Sequence, residues 1–254
     1  MIKEEKKRKR WTRHFYSIPS GPPPIQYSPD YTVDTAMQGF WNLEEASGDR
    51  IDGSGKGNNL NSINNVGQSS NAKQGSYSAS FSRASSQSLG VLDASLSANF
   101  PGKNGLPAQN LTAGCWIYPT SVSPQIWAIG KDDSFWILVI PSGNIRAQLS
   151  AGASYPESTS NNTYPVNAWQ HAVIRFFGTT TRELNLFVNG VKQTSAPIAA
   201  TGVMASNRGF YIGASSFASN FFDGLVDEAF VMNRALSDAE ILNIYSHGLN
   251  GRRA

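Results

Sequence analysis

The sequence predicts an all-β domain: a two-sheet antiparallel sandwich, closed by one short C-terminal helix and preceded by an extended N-terminal arm. Three observations predict it. Short apolar runs recur at regular spacing between residues 37 and 232, separated by turn-forming residues. The composition pairs 40% hydrophobic residues with only 15% charged ones and 23 glycines, which suits many short strands joined by polar turns. A single segment near the C-terminus combines helical periodicity with a cap.

The chain opens on a charged arm, Met1 to Arg13. This tip holds seven Lys/Arg against two Glu, leaving 14 basic and 16 acidic residues for the remaining 241. The basic character therefore belongs to the tip, through Lys6, Lys7, Arg8, Lys9, Arg10 and Arg13 with Lys3, while the body is nearly neutral. A connector with Pro19, Pro22, Pro23, Pro24 and Pro29 follows. Proline runs hold the backbone extended and cannot join a sheet interior. We divide the chain into an arm over 1–34 and a sandwich over 35–254. The arm lacks the apolar region of a Sec signal, and no apolar run approaches the ~20 residues of a membrane span. It reads as a solvated tail, an anchor to other subunits, or a contact for nucleic acid through residues 1–13.

Strands are expected near 37–43, 76–82, 87–92, 111–118, 125–130, 134–140, 144–150, 169–177, 183–189, 191–196, 209–214 and 224–232. Pro141-Ser-Gly-Asn144 reads as a hairpin turn, and Asn189-Gly190 is a strong hairpin signal. Residues 151–168 are rich in Ser, Asn, Thr and Pro and read as a long exposed loop. The lone Cys115 excludes an internal disulfide and reads as a small buried residue.

The final strand holds an acidic pair. By period-two alternation Asp227 falls on one face with Leu225, Ala229 and Val231, and Glu228 on the other with Val226, Phe230 and Met232. Carboxylates in an apolar strand need hydrogen bonds, an arginine or a metal ion. Ser237 and Glu240 then form a capping box, Ile241, Ile244 and Tyr245 make one apolar stripe, and Gly248 sits where a helix would stop.

Five segments in order resemble the laminin G-like jelly rolls of the concanavalin A-like lectin and glucanase superfamily. They are Gly39-Phe-Trp-Asn-Leu-Glu-Glu-Ala-Ser-Gly48, Asp52-Gly-Ser-Gly-Lys-Gly-Asn58, Trp169-Gln-His171, Leu186-Phe-Val-Asn-Gly-Val191 and the closing Phe222–Tyr245 segment. The resemblance implies a jelly-roll sandwich of concanavalin A-like type. It further implies one structural calcium ion, with Asp52 and Asn58 from the loop and Asp227 or Glu228 from the last strand as ligands. Asn59 departs from the pattern, since many relatives carry an acid there. The other reading is that Asp52 caps a turn and Asp227 binds loop amides. The resemblance also implies a core Trp169 with His171 hydrogen-bonded beside it.

Glucanases of the superfamily set their acids on alternate residues of one strand, so that all point into one cleft. No such run exists here; Asp132-Asp133 and Asp227-Glu228 are adjacent pairs, and the three histidines are far apart in sequence. We expect no enzyme. Sugar binding needs exposed rings with amides and carboxylates beside them. Trp127, Trp136, Tyr155, Tyr164 and Asn161 are the candidates, with Phe217, Phe221, Phe222, Asn162 and Asn220; local packing is the plainer reading of each ring. The expected function is a structural or display protein of an assembly such as a phage or virus particle, bearing a lectin-like sandwich. A stand-alone carbohydrate-binding module or adhesin is the alternative.

Overall fold

In the computed structural model residues 33–178, 182–198 and 203–250 are described, and they form fifteen strands, one α-helix and two single-turn 3-10 helices, Arg83–Ser85 and Asp93–Ser95. The strands are β1 (Met37–Trp41), β2 (Asn61–Ile63), β3 (Gly67–Ser69), β4 (Ser78–Phe81), β5 (Ser88–Val91), β6 (Asn110–Pro119), β7 (Ile126–Lys131) and β8 (Phe135–Val139). They continue as β9 (Ile145–Leu149), β10 (Glu157–Thr159), β11 (Gln170–Phe177), β12 (Glu183–Val188), β13 (Val191–Pro197), β14 (Phe210–Ile212) and β15 (Gly224–Met232), followed by α1 (Asp238–Asn250). No helix of the described residues is long and apolar enough to cross a membrane. The arm residues Lys6, Lys7, Arg8, Lys9, Arg10 and Arg13 lie outside the described residues.

The first sheet runs β13-β12-β11-β6-β15-β4-β3, with β1 also on β15; the second runs β10-β9-β8-β7-β14-β5-β2. All pairings of these strands are antiparallel. Alternation along each strand sends one set of side chains between the sheets. Ala172, Ile174 and Phe176 of β11 meet Phe135, Ile137 and Val139 of β8 in this central core. Trp41 crosses it, stacking on Phe210 of the opposite sheet with ring centroids 5.0 Å apart.

The outer face of the first sheet is covered. Val173, Phe187, Phe230 and Met232 form a second core with Ile241 and Ile244 of α1. The capping box is present: the Glu240 N–H donates to Ser237 Oγ at 3.2 Å, and Glu240 Oε2 accepts from the Ser237 N–H at 2.7 Å. Gly248 does not end the helix, which continues to Asn250. Its role is packing: a Cβ there would lie 2.6 Å from Trp116 Cζ2 and Nε1, so only glycine lets the last turn rest on that indole.

All twelve expected strands are present. Three more, β2, β3 and β10, carry no apolar alternation, and backbone pairing at sheet edges creates them. The 151–168 segment is therefore not wholly loop, since β10 lies within it and pairs with β9. Trp169 is also not a core residue; it is half-buried, its Nε1 donates to Asn71 Oδ1 at 3.1 Å, and it packs on Tyr118. The buried ring beside His171 is Trp116 instead, at 5.0 Å, and Tyr245 completes a three-ring cluster, 6.0 Å from His171 and 5.5 Å from Trp116. Burial among these rings, with the Lys73 ammonium adding, holds His171 down at about 3. The turns at Pro141–Asn144 and at Asn189-Gly190 form as expected, the latter with φ of 53° and 75°.

Candidate functional site

The acidic pair sits where β15 changes partner. Its first residues pair with β4 and its last with β1, both on the edge away from β6. The register against β6 shifts between Asp227 and Phe230, and Glu228 takes a left-handed φ of 49°. This β-bulge replaces the simple alternation expected for the strand. Asp227 serves the break: Oδ2 accepts from the Lys73 and Gln74 N–H groups at 2.8 and 2.9 Å, and Oδ1 from the Glu228 N–H at 2.9 Å. Burial pushes its carboxyl up to about 7, against these three donors, which favour the ionised form.

Asp52 works in the same way inside its glycine-rich loop. Oδ1 accepts from the Phe40 and Ser54 N–H groups, and Oδ2 from Ser54 Oγ and the Asn58 N–H, all within 3.0 Å. The Asn58 carbonyl accepts from Trp41 Nε1 at 2.9 Å. Asp52, Asp227 and the Asn58 carbonyl thus face N–H and O–H donors, whose positive ends oppose a cation. Among the described residues, no three His, Cys, Asp or Glu side chains gather to hold a metal ion. As arranged, Asp52, Asn58 and Asp227 do not offer calcium a set of free oxygen ligands. We expect added calcium, or a chelator, to leave the thermal midpoint unchanged; a calcium-dependent rise would show that these carboxylates rearrange into a site.

A concavity of about 310 Å³ beside this loop holds Glu44 and Glu45. Both are engaged: Glu44 accepts from the Ser76 and Tyr77 N–H groups, and Glu45 Oε1 from the Ile51 N–H at 2.8 Å.

The outer face of the second sheet offers different chemistry. Its cross-strand partners run Glu157, Gln148, Trp136, Gly130, Tyr211, Gly90 and Asn61 in one row over seven strands. Rings and glycines alternate in the middle of that row. A Cβ on Gly130 would lie 2.5 Å from Trp136 Cβ, and one on Gly90 would lie 2.3 Å from Tyr211 Cε1. Glycine at 90 lets the Tyr211 ring lie down across the sheet, and glycine at 130 lets the Trp136 backbone and Cβ approach closely.

Trp136 stacks on Trp127 at 5.4 Å, with Leu138 beside them. Both indoles are nearly closed off, at 8% and 5% exposure, so neither is the open platform suggested by its position. Trp136 Nε1 donates to Gln148 Oε1 at 2.9 Å. Tyr155, 53% exposed, continues the aromatic run from Trp136 at 6.2 Å. Tyr164 is half-buried against the central core, and Asn161 is exposed, its N–H on Gln193 Oε1 at 3.2 Å. Asn162 and Asn220 are exposed, Phe222 is core, and Phe217 is exposed beneath the Arg208 guanidinium.

At the other end of the row a concavity of about 260 Å³ opens between β2, β5, β14 and the 215–222 loop. Tyr211, Phe221 and Ile63 supply its apolar surface, and Asn64, Ser88 and Ser216 are among its polar lining. The Asp132 carboxylate lies behind it, accepting from the Ser216 N–H, and raises the Tyr211 hydroxyl further above a level already lifted by burial. Phe221 was expected near a binding surface; Tyr211 was not. Its only local signal is a tyrosine standing between two core residues, Phe210 and Ile212, in a run flanked by Gly209 and Gly213.

A family model described as the concanavalin A-like lectin/glucanases superfamily matches residues 92–242. Among solved structures, the chain is similar to the binding domain of Paraclostridial Mosquitocidal Protein 1 at 15% identity and TM-score 0.64, over 83% of this chain and 52% of that one. It is similar to the binding domain of botulinum neurotoxin DC, solved with rat synaptotagmin II, at 12% identity and TM-score 0.60, over 85% of this chain and 52% of that one. It is also similar to domain 4 of an extracellular arabinanase from Geobacillus stearothermophilus, solved with arabinotriose, at 16% identity and TM-score 0.59, over 82% and 98%. The chain spans about half the length of the two toxin domains. At these identities the likeness is one of fold. No curated protein matches the chain.

Proposed function

This chain belongs to the concanavalin A-like lectin/glucanases superfamily, and on that premise we propose that it is a non-enzymatic, carbohydrate-binding sandwich displayed on a larger assembly by its N-terminal arm. One observation carries the reading: α1 covers the outer face of the first sheet, while the outer face of the second presents rings, amides and hydroxyls around a concavity. Sugars combine apolar ring faces with hydroxyl groups, and such a lining suits both. The arabinanase domain, of the same fold, was solved with an oligosaccharide. The carboxylates of Glu44, Glu45, Asp52 and Asp227 are occupied by backbone donors, which supports binding rather than acid–base hydrolysis.

The junction with the arm supports display. Asp34 is tied to Arg234, which also binds Glu240 of α1 at 2.7 Å. The chain therefore enters the sandwich on the α1 side, opposite the ring-bearing face. A basic arm anchored in other subunits, as in a phage or virus particle, or laid on nucleic acid through residues 1–13, would leave that face outward. The alternative is a stand-alone carbohydrate-binding module or adhesin.

The full chain applied to a broad glycan array tests the binding. We expect capture of at least one oligosaccharide class; a folded chain that retains none overturns the proposal. The assembly reading predicts an arm cut by protease in the free protein and protected in the particle. Equal cutting in both states counts against it.

A further inference from the structure

Building on the carbohydrate-binding reading, we infer that the concavity at Tyr211 and Phe221 is the principal sugar subsite and that it takes one neutral sugar residue, not an acidic one. The size fits a single ring. About 260 Å³ lies just below the ~300–1,000 Å³ of drug-sized pockets. The platform is defined by the row of alternating rings and glycines. The Tyr211 ring lies so close over Gly90 and Gly209 that a Cβ on the first would come 2.3 Å from its Cε1 and a Cβ on the second 2.7 Å from its Cε2. A tyrosine lying down on its sheet turns a face outward, and a face is what stacks on a sugar's C–H surface. Asn64 and Ser86 border it with an amide and a hydroxyl, groups that exchange hydrogen bonds with sugar hydroxyls without needing a charge, while Ser88 and the Ser216 hydroxyl lie buried at its floor.

The charge distribution selects against acids. No Lys, Arg or His is among the lining residues. A carboxylate brought here would lose water without gaining a cationic partner. Behind the lining, the Arg83 guanidinium is spent on backbone carbonyls, Nε donating to Phe221 O at 3.2 Å and Nη1 to Ser123 O at 2.6 Å, and the acid Asp132 sits on the Ser216 N–H. Arg208, the cation close to that acid, is spent elsewhere, with its guanidinium over Phe217 at 4.4 Å and its Nε facing Asp133 at 3.6 Å.

The test is a glycan array in which neutral oligosaccharides are paired with their sialylated or uronic-acid counterparts, read with the full chain and three variants. Tyr211→Ala removes the platform. Gly90→Ala keeps the tyrosine but drives a Cβ into its ring, at a position whose backbone φ is not left-handed. Tyr155→Ala removes the exposed ring at the far end of the row. We expect wild type to prefer the neutral member of each pair, Tyr211→Ala and Gly90→Ala to lose about tenfold or more in affinity, and Tyr155→Ala to bind as wild type. Thermal midpoints near that of wild type show that the variants fold; should Tyr211→Ala fail to fold, Gly90→Ala alone decides. Preference for the acidic member, or neutral binding that survives Gly90→Ala and fails in Tyr155→Ala, overturns this subsite while leaving the carbohydrate-binding function standing. Capture of no glycan by the folded wild type overturns both.

Discussion

Replacing Trp41 by alanine costs the domain about 4 kcal/mol, the range of large-to-small changes in a closed core. The indole is fully buried and joins the sheets through its stack on Phe210, which is in turn edge-on to Phe100 at 5.3 Å. Removing it opens a void that neighbouring strands cannot close without breaking register. It also takes the Nε1 donor from the Asn58 carbonyl, which is buried and has its loop arranged around Asp52. Gly39 is part of the same fit, since a Cβ there would lie 2.3 Å from the indole. Urea denaturation checks the size of the loss; a cost under about 1 kcal/mol, the scale of a surface change, would show that the indole does not bridge the sheets.

Asp227→Ala has a second large effect, and it depends on pH. The substitution strands three backbone N–H groups inside the protein at the β15 bulge, a loss of about 3 kcal/mol or more. The carboxyl binds its proton more tightly in the folded protein, up to about 7, than an unfolded aspartate near ~3.9. Its linked stabilisation is therefore complete below the unfolded value and is lost as pH rises through about 7. His171 has the opposite sign. Held down to about 3, it contributes fully above the ordinary histidine range and loses that contribution as pH falls. In wild type the two slopes oppose across mildly acid pH. In Asp227→Ala the histidine slope stands alone, so stability rises with pH and the gap to wild type narrows. Denaturation curves at about pH 5 and about pH 8 measure that gap, and a gap that widens with pH would reverse the assignment.

Local chemistry made much of the architecture legible. Asn189-Gly190 specifies its turn through two left-handed residues, and Ser237 with Glu240 specifies a helix start, because each signal is complete within a few residues. Strands such as β6 and β8 announce themselves by apolar runs that a core requires. The three short strands were hidden because edge pairing, not composition, creates them. Gly248 was misleading: a glycine near a helix end has the same letter whether it stops the helix or lets it touch Trp116. The acidic pair was legible as a problem and not as its solution. Alternation cannot show that β15 trades β4 for β1 at that point, nor that the amides of Lys73 and Gln74 are delivered there from more than 150 residues away in the sequence.

By itself the sequence determined the fold class, the superfamily resemblance, nearly every strand and the concentration of positive charge in the arm, since periodicity, turn residues and charge are properties of neighbours along the chain. Only the tertiary structure decided which faces are used. Alternation says that each strand has two sides; it does not say that α1 covers one sheet, that Trp127 and Trp136 close over each other, or that Gly90, Gly130 and Tyr211 meet in one row. Those outcomes depend on three-dimensional packing between segments far apart in sequence, where burial and steric fit, not local pattern, set the arrangement.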